Sequence, residues 1–206
     1  MADGRVILPG SDRGKPAGCE ETGEADAQQN VRLTVVVRRI APIPPDAYLH
    51  PVSREEFQRR YGAHRADIEK VEKFAASRGL HVESADIASR NVVLTGTLGA
   101  ASAAFGAQVR RYQGERGTFR ARSGQLTLPA ELDGVVEGVF GFDERPQART
   151  HHRVRVRQAA KSTDVSYTPN QIAAAYSFPQ GVNGAGQTIG IVELGGGYET
   201  ADLDGY

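Results

Sequence analysis

The chain has 206 residues, 39% hydrophobic and 24% charged, a balance that fits a globular protein and excludes a disordered one. Its formal net charge at pH 7 is zero, which argues against a dedicated nucleic-acid binder. Cys19 is the single cysteine, so an internal disulfide and a cysteine-based zinc site are both excluded.

No run of about 18 apolar residues occurs, so no transmembrane helix is expected. MADGRVILPG at the start has no long apolar core and gives no sign of a conventional signal peptide. Residues 1–30 are rich in Gly, Glu, Asp and Gln without apolar periodicity after Leu8, and read as a mobile tail.

Val31–Arg39 alternates, with Leu33, Val35 and Val37 on one face, and predicts a strand. Pro42, Pro44, Pro45 and Pro51 then forbid regular pairing. Ser53 and Glu56 form an S-x-x-E capping box, with Val52 and Phe57 spaced for a hydrophobic staple and Gly62 stopping the helix. Ile68, Val71 and Phe74–Ala75 recur at helical spacing, and Gly79 supplies the left-handed C-terminal residue. LHVESADI and NVVLTG predict a hairpin around Ser89–Asn91.

Leu98, Ala101 and Phe105 share a helical stripe that ends at Gly106. QVRRYQ and GTFRAR predict a second hairpin. Pro129 precedes a short helix carrying Leu132, Val135 and Val136, followed by a strand at Val139–Phe142. The order is that of an α+β domain over 31–145, a split β-α-β (ferredoxin-like) antiparallel sheet with helices on one face.

Residues 146–166 break the pattern. Arg145, Arg149, Arg153, Arg155, Arg157 and Lys161 occur with no acidic residue between them. Stacking aromatics are missing between Phe142 and Tyr167, so an exposed linker is favoured over a nucleic-acid contact. From 167 to 206 the sequence predicts a short helix (Asn170–Tyr176), a Gly-rich loop and a buried strand, Thr188–Leu194. Such a strand needs neighbours on both edges, so this piece reads as the incomplete start of an α/β domain, poorly packed by itself.

Chemistry-bearing motifs are few. No Ser stands in a G-x-S-x-G context, and His50, His64, His81, His151 and His152 lack metal-ligand spacing. NGAGQTIG and LGGGYET have the wrong context for a dinucleotide fingerprint and read as turns. Glu193 sits inside an apolar run, where an ionised carboxylate is costly unless paired. Either its head reaches solvent at the strand end, or it marks the edge of a site at the carboxyl end of a strand.

YTPNQIAAAYSFPQGVNGAGQTIGIVELGGGY (Tyr167–Tyr198) resembles the start of the catalytic domain of sedolisins, the kumamolisin-like serine-carboxyl peptidases. PVSREEFQRRYGAHRADIEKVEKFAASRGLHV, LGAASAAFGAQVRRYQ and LPAELDGVVEGVFGFDERP resemble their activation prodomain. The resemblance implies a ferredoxin-like prodomain that chaperones and inhibits a subtilisin-like, secreted peptidase domain, its partner, until acid-triggered cleavage. It implies a catalytic Ser with a Glu and an Asp, an oxyanion Asp and a calcium site, none of which matches a residue here. Only Glu193 carries over, as a supporting hydrogen-bond partner of the Glu–Asp pair. The chain is therefore expected to lack peptidase activity and to be a truncated or fragmentary precursor.

By position, the resemblance puts processing near Lys161–Ser162, with Arg153, Arg155 and Arg157 in a cleft-occupying linker. Residues 146–166 can extend to about 70 Å, enough to cross such a domain. The competing expectations are a free-standing binding module that inhibits in trans and, less favoured, a nucleic-acid-binding domain. No membrane partner is expected.

Overall fold

The computed structural model describes residues 4–115, 117–145, 167–179, 181–182, 184–190 and 200–201. The chain divides into two units, Met1–Thr150 and His151–Tyr206.

The first unit is α+β. In chain order its elements are β1 (Arg5–Ile7), β2 (Glu20–Glu24), β3 (Asn30–Val37), α1 (Arg54–Tyr61), α2 (Arg65–Ser77), β4 (His81–Asp86) and β5 (Asn91–Thr97). Then come α3 (Leu98–Phe105), β6 (Gln108–Gly114), β7 (Gly117–Ser123), β8 (Thr127–Pro129) and β9 (Val136–Phe140). Among the described residues these strands form three antiparallel sheets, ordered β4-β5-β3-β9, β2-β6-β7 and β1-β8.

Strand β3 is central because its alternation is complete: Val31, Leu33, Val35 and Val37 are all buried. Leu33 lies opposite Leu94, and Val35 lies between Val92 and Val139. Helices α2 and α3 close over these residues with Ile68, Val71, Phe74, Ala75, Leu98, Ala101, Ala104 and Phe105. Phe74, Phe105 and Phe142 form an edge-to-face chain, with centroids 5.5 and 6.1 Å apart.

The helix ends follow local chemistry. Ser53 Oγ accepts from the Glu56 amide at 3.1 Å, while the Glu56 carboxylate pairs with Arg59 and Arg60. Gly62 ends α1 for lack of room and not for handedness. Its φ is −67°, and an added Cβ would meet the Gln58 carbonyl at 2.5 Å and the Ile87 carbonyl at 2.8 Å. Gly79 and Gly106, by contrast, take positive φ after α2 and α3.

Three expectations are corrected. The stretch 1–30, read as a mobile tail, supplies β1 and β2 and buries Leu8. Its anchors are non-local: Arg5 donates to Thr127 Oγ1 and to the Ala104 and Thr127 carbonyls, and Ser11 Oγ accepts from the Leu126 amide. Second, the hairpin β6–β7 joins β2 in its own sheet and adds nothing to the main one. Third, the helix after Pro129 is a single 3-10 turn, Ala130–Leu132. Gly134 at φ +63° redirects the chain, and Val136 starts β9.

In the second unit, α4 (Pro169–Ala175) begins with a full capping box from Thr168 and Gln171 and with Pro169 in its first turn. None of the described residues there is buried. Ile189, expected inside a buried strand, is 87% exposed, and residues 188–190 form no strand. The remainder of that expected strand lies outside the described residues.

Candidate docking face

Period-two alternation on a sheet with helices on one side leaves a second face to something else. On β3 the residues of that face are Arg32, Thr34 and Val36, opposite Thr95, Val93 and Asn91 of β5. Strand β4 adds His81, Ser84 and Asp86, and β9 adds Phe140 opposite Thr34 and Gly138 opposite Val36. Thr34, Val36, Asn91, Val93 and Thr95 are half-buried.

Phe140 is the apolar feature of this face, 55% exposed. Its ring lies over Gly138, where an added Cβ would come within 2.8 Å of Cε2. A larger residue at 138 would push the ring away from the sheet. At the β4 margin Arg32 forks onto Glu83, with Nε 2.9 Å from Oε2 and Nη2 3.1 Å from Oε1. That guanidinium holds the Glu83 carboxyl below its ordinary range. The Ser89 hydroxyl and the Ala88 amide donate to Asp86 and lower it as well. The centre of the face is thus uncharged β-branched surface with one aromatic, and its rim is charged, the anatomy of a protein contact patch.

A second apolar region is the segment between β3 and α1, where Tyr48 and Leu49 are exposed. Pro44, Tyr48, Pro51, Phe57, Arg60 and Tyr61 help line a cleft there of about 500 Å³. Among the described residues, no group of three His, Cys, Asp or Glu side chains is placed to hold a metal ion. No described helix is long and apolar enough to cross a membrane.

The residues singled out from sequence, Arg153, Arg155, Arg157, Lys161, Ser162 and Glu193, all lie outside the described residues. The free sheet face was not singled out. Its one local signal is the polar and β-branched set Arg32, Thr34, Val36 interleaved with the core residues of β3.

The fold and this face define an α+β domain with one face of its main sheet exposed. Comparison with known proteins narrows the class. Residues 17–145 match the family described as Pro-kumamolisin, activation domain. The chain belongs to this family, the prodomains of sedolisin-type precursors. The match begins before β2, so it includes residues that sequence reading had assigned to a tail.

Among curated relatives, kumamolisin of Bacillus sp. (strain MN-32) is 34% identical over 221 aligned residues, covering 98% of this chain and 40% of its own length. Tripeptidyl-peptidase sed5 of Aspergillus fumigatus is 26% identical, covering 89% of this chain and 36% of its own length. Sedolisin of Pseudomonas sp. (strain 101) is 28% identical over 109 residues, 51% of this chain and 19% of its own length. The chain thus spans 40% or less of the length of these relatives.

Proposed function

We propose that this chain is the propeptide region of a secreted, acid-acting serine-carboxyl endopeptidase, serving as chaperone and inhibitor of the peptidase domain. The observation that carries this reading is the free face of the four-stranded sheet within a region that matches an activation domain. The order β4-β5-β3-β9, with α1 and α2 between β3 and β4 and α3 between β5 and β9, supports a ferredoxin-like core.

Docking places Phe140 and the β-branched centre against the peptidase domain, and the charged margin sets orientation. Tethering raises the effective concentration of the prodomain to the order of millimolar, so a modest interface suffices for inhibition in cis. Processing falls near Lys161–Ser162, the arginines at 153, 155 and 157 cross the cleft, and Glu193 supports the catalytic carboxylates. Calcium, on this reading, belongs to the peptidase domain.

Titrating the purified chain against a kumamolisin-type peptidase at neutral pH tests the reading. Saturable inhibition that weakens on acidification is expected. Full peptidase activity with the chain at about millimolar concentration, which tethering would provide, would overturn it.

A further inference from the structure

The turn between β7 and β8 gathers three arginines. Arg13 and Gly124 exchange backbone hydrogen bonds at 3.2 and 2.7 Å. The Gly124 carbonyl that takes the Arg13 amide also takes Arg122 Nη1, at 2.9 Å. Arg145 Nη2 lies 3.2 Å from the Arg122 carbonyl, and the same guanidinium reaches the Gly14 carbonyl at 3.4 Å. An added Cβ at Gly14 or at Gly124 would meet nothing within 4 Å, so the turn has open space beside it.

Arg122 is 7% exposed, and its charge is unmatched. Other covered charges of the domain have partners: Arg90 lies 2.6 Å from Glu137, Arg120 2.7 Å from Glu144, and Asp67 2.7 Å from Arg38. Among the described residues no carboxylate comes within ion-pair distance of Arg122, whose side chain donates there to a neutral carbonyl. Asp143 is taken up by Arg145, with Nη2 3.0 Å from Oδ2 and the Arg145 amide 2.9 Å from Oδ1. Burial first, then the charges of Arg13 and Arg145, hold Arg122 below its ordinary range, and Asp143 and Asp12 oppose them only in part. A guanidinium keeps its proton near neutral pH, so a covered one without a counter-charge is costly and attracts an anion.

We propose that Arg122, flanked by Arg13 and Arg145, forms the base of a binding site for a small, singly charged carboxylate at the β7–β8 turn. Nε and Nη2 of Arg122 have no acceptor among the described residues, and neither is sealed from solvent. That edge of a guanidinium takes a carboxylate as a two-pronged fork, and Arg32 holds Glu83 by the same pair of nitrogens. Three guanidinia against the carboxylates of Asp12 and Asp143 leave one positive charge over, which favours a monoanion over a dianion. The site belongs to the first unit and stands without the propeptide reading.

Titration of the 206-residue chain with acetate at neutral pH and constant ionic strength tests the site. The readout is the Arg122 Nε–H nuclear magnetic resonance signal, assigned by its loss in Arg122→Met. It should move saturably, with half-saturation on the order of millimolar, the strength that two charge-assisted hydrogen bonds support. Arg13→Gln removes the surplus charge and should weaken acetate binding at least about tenfold. Sulfate, a dianion, should bind less tightly than acetate. Should Arg122→Met fail to fold, Arg122→Lys keeps the charge, lacks the fork and supplies the assignment. A signal that drifts without saturating, acetate binding unchanged in Arg13→Gln, or sulfate binding tighter than acetate would overturn the proposal.

Discussion

The carboxylate of Asp67, 4% exposed, lies 2.7 Å from the guanidinium of Arg38 and ties the first turn of α2 to the residue after β3. Lys70 reaches the same carboxylate at 3.3 Å. Burial alone pushes Asp67 up, but hydrogen bonds from Arg38 and Lys70 and their charges outweigh it, and the carboxyl sits below its ordinary 3.8. A carboxylate lowered in the folded state adds stability that is present above its unfolded value and is lost as pH falls through the folded one. Asp67→Asn should cost about 1–3 kcal/mol at pH 7 in urea unfolding. Below 3.8 the gap between variant and wild type should narrow, because wild type loses the same pair. An equally wide gap at pH 7 and pH 2 would show that the ion pair is not its source.

The N-terminal segment is a structural part of the domain, and its removal should be felt. Leu8 is buried against the core, so Leu8→Ala should cost about 2–5 kcal/mol. Arg5→Ala strips three hydrogen bonds from β8 and the end of α3 and should lower stability by about 1–3 kcal/mol. Denaturant unfolding measures both. Wild-type midpoints for the pair would mean that the segment contributes nothing to the fold.

Two glycines with nearly the same φ separate handedness from space. Gly106, at φ +64°, has Thr127 where its Cβ would go, whereas Gly134, at φ +63°, has open space. Gly134→Ala should cost roughly 1–2 kcal/mol for the left-handed conformation alone. Gly106→Ala should cost more, because Thr127 holds the Nε of Arg5 at 2.8 Å and cannot move freely. Equal losses in thermal unfolding would show that Thr127 yields without cost.

The docking face predicts a split between stability and binding. Thr34→Arg and Phe140→Asp stand on the exposed side of the main sheet, away from the helices. Inhibition of a kumamolisin-type peptidase should weaken at least about tenfold for each, while unfolding midpoints stay near wild type. Undiminished inhibition by both variants would place the contact elsewhere on the domain.

Much of the fold was legible from sequence because it rests on local rules. Complete alternation in Val31–Val37, helical spacing through Ile68, Val71 and Phe74, and glycines at 79 and 106 each fix backbone geometry within a turn or two. The α+β class and both hairpins followed from them. The family resemblance was carried by longer ordered motifs, and the match over residues 17–145 agrees with it.

Tertiary structure alone decided where non-local partners meet. Nothing near Arg5 announces Thr127, Glu24 does not point to Arg110, and no local pattern brings Arg120 to Glu144. Side-chain alternation says that β3 has a second face but not which residues of β5 and β9 complete it, because register is set by pairing across the chain. Local periodicity reports burial only where an element supplies its own apolar stripe. Residues 4–30 bury Leu8 but carry no apolar stripe of their own, and are held largely by cross-strand hydrogen bonds and charge pairs whose partners lie about a hundred positions away.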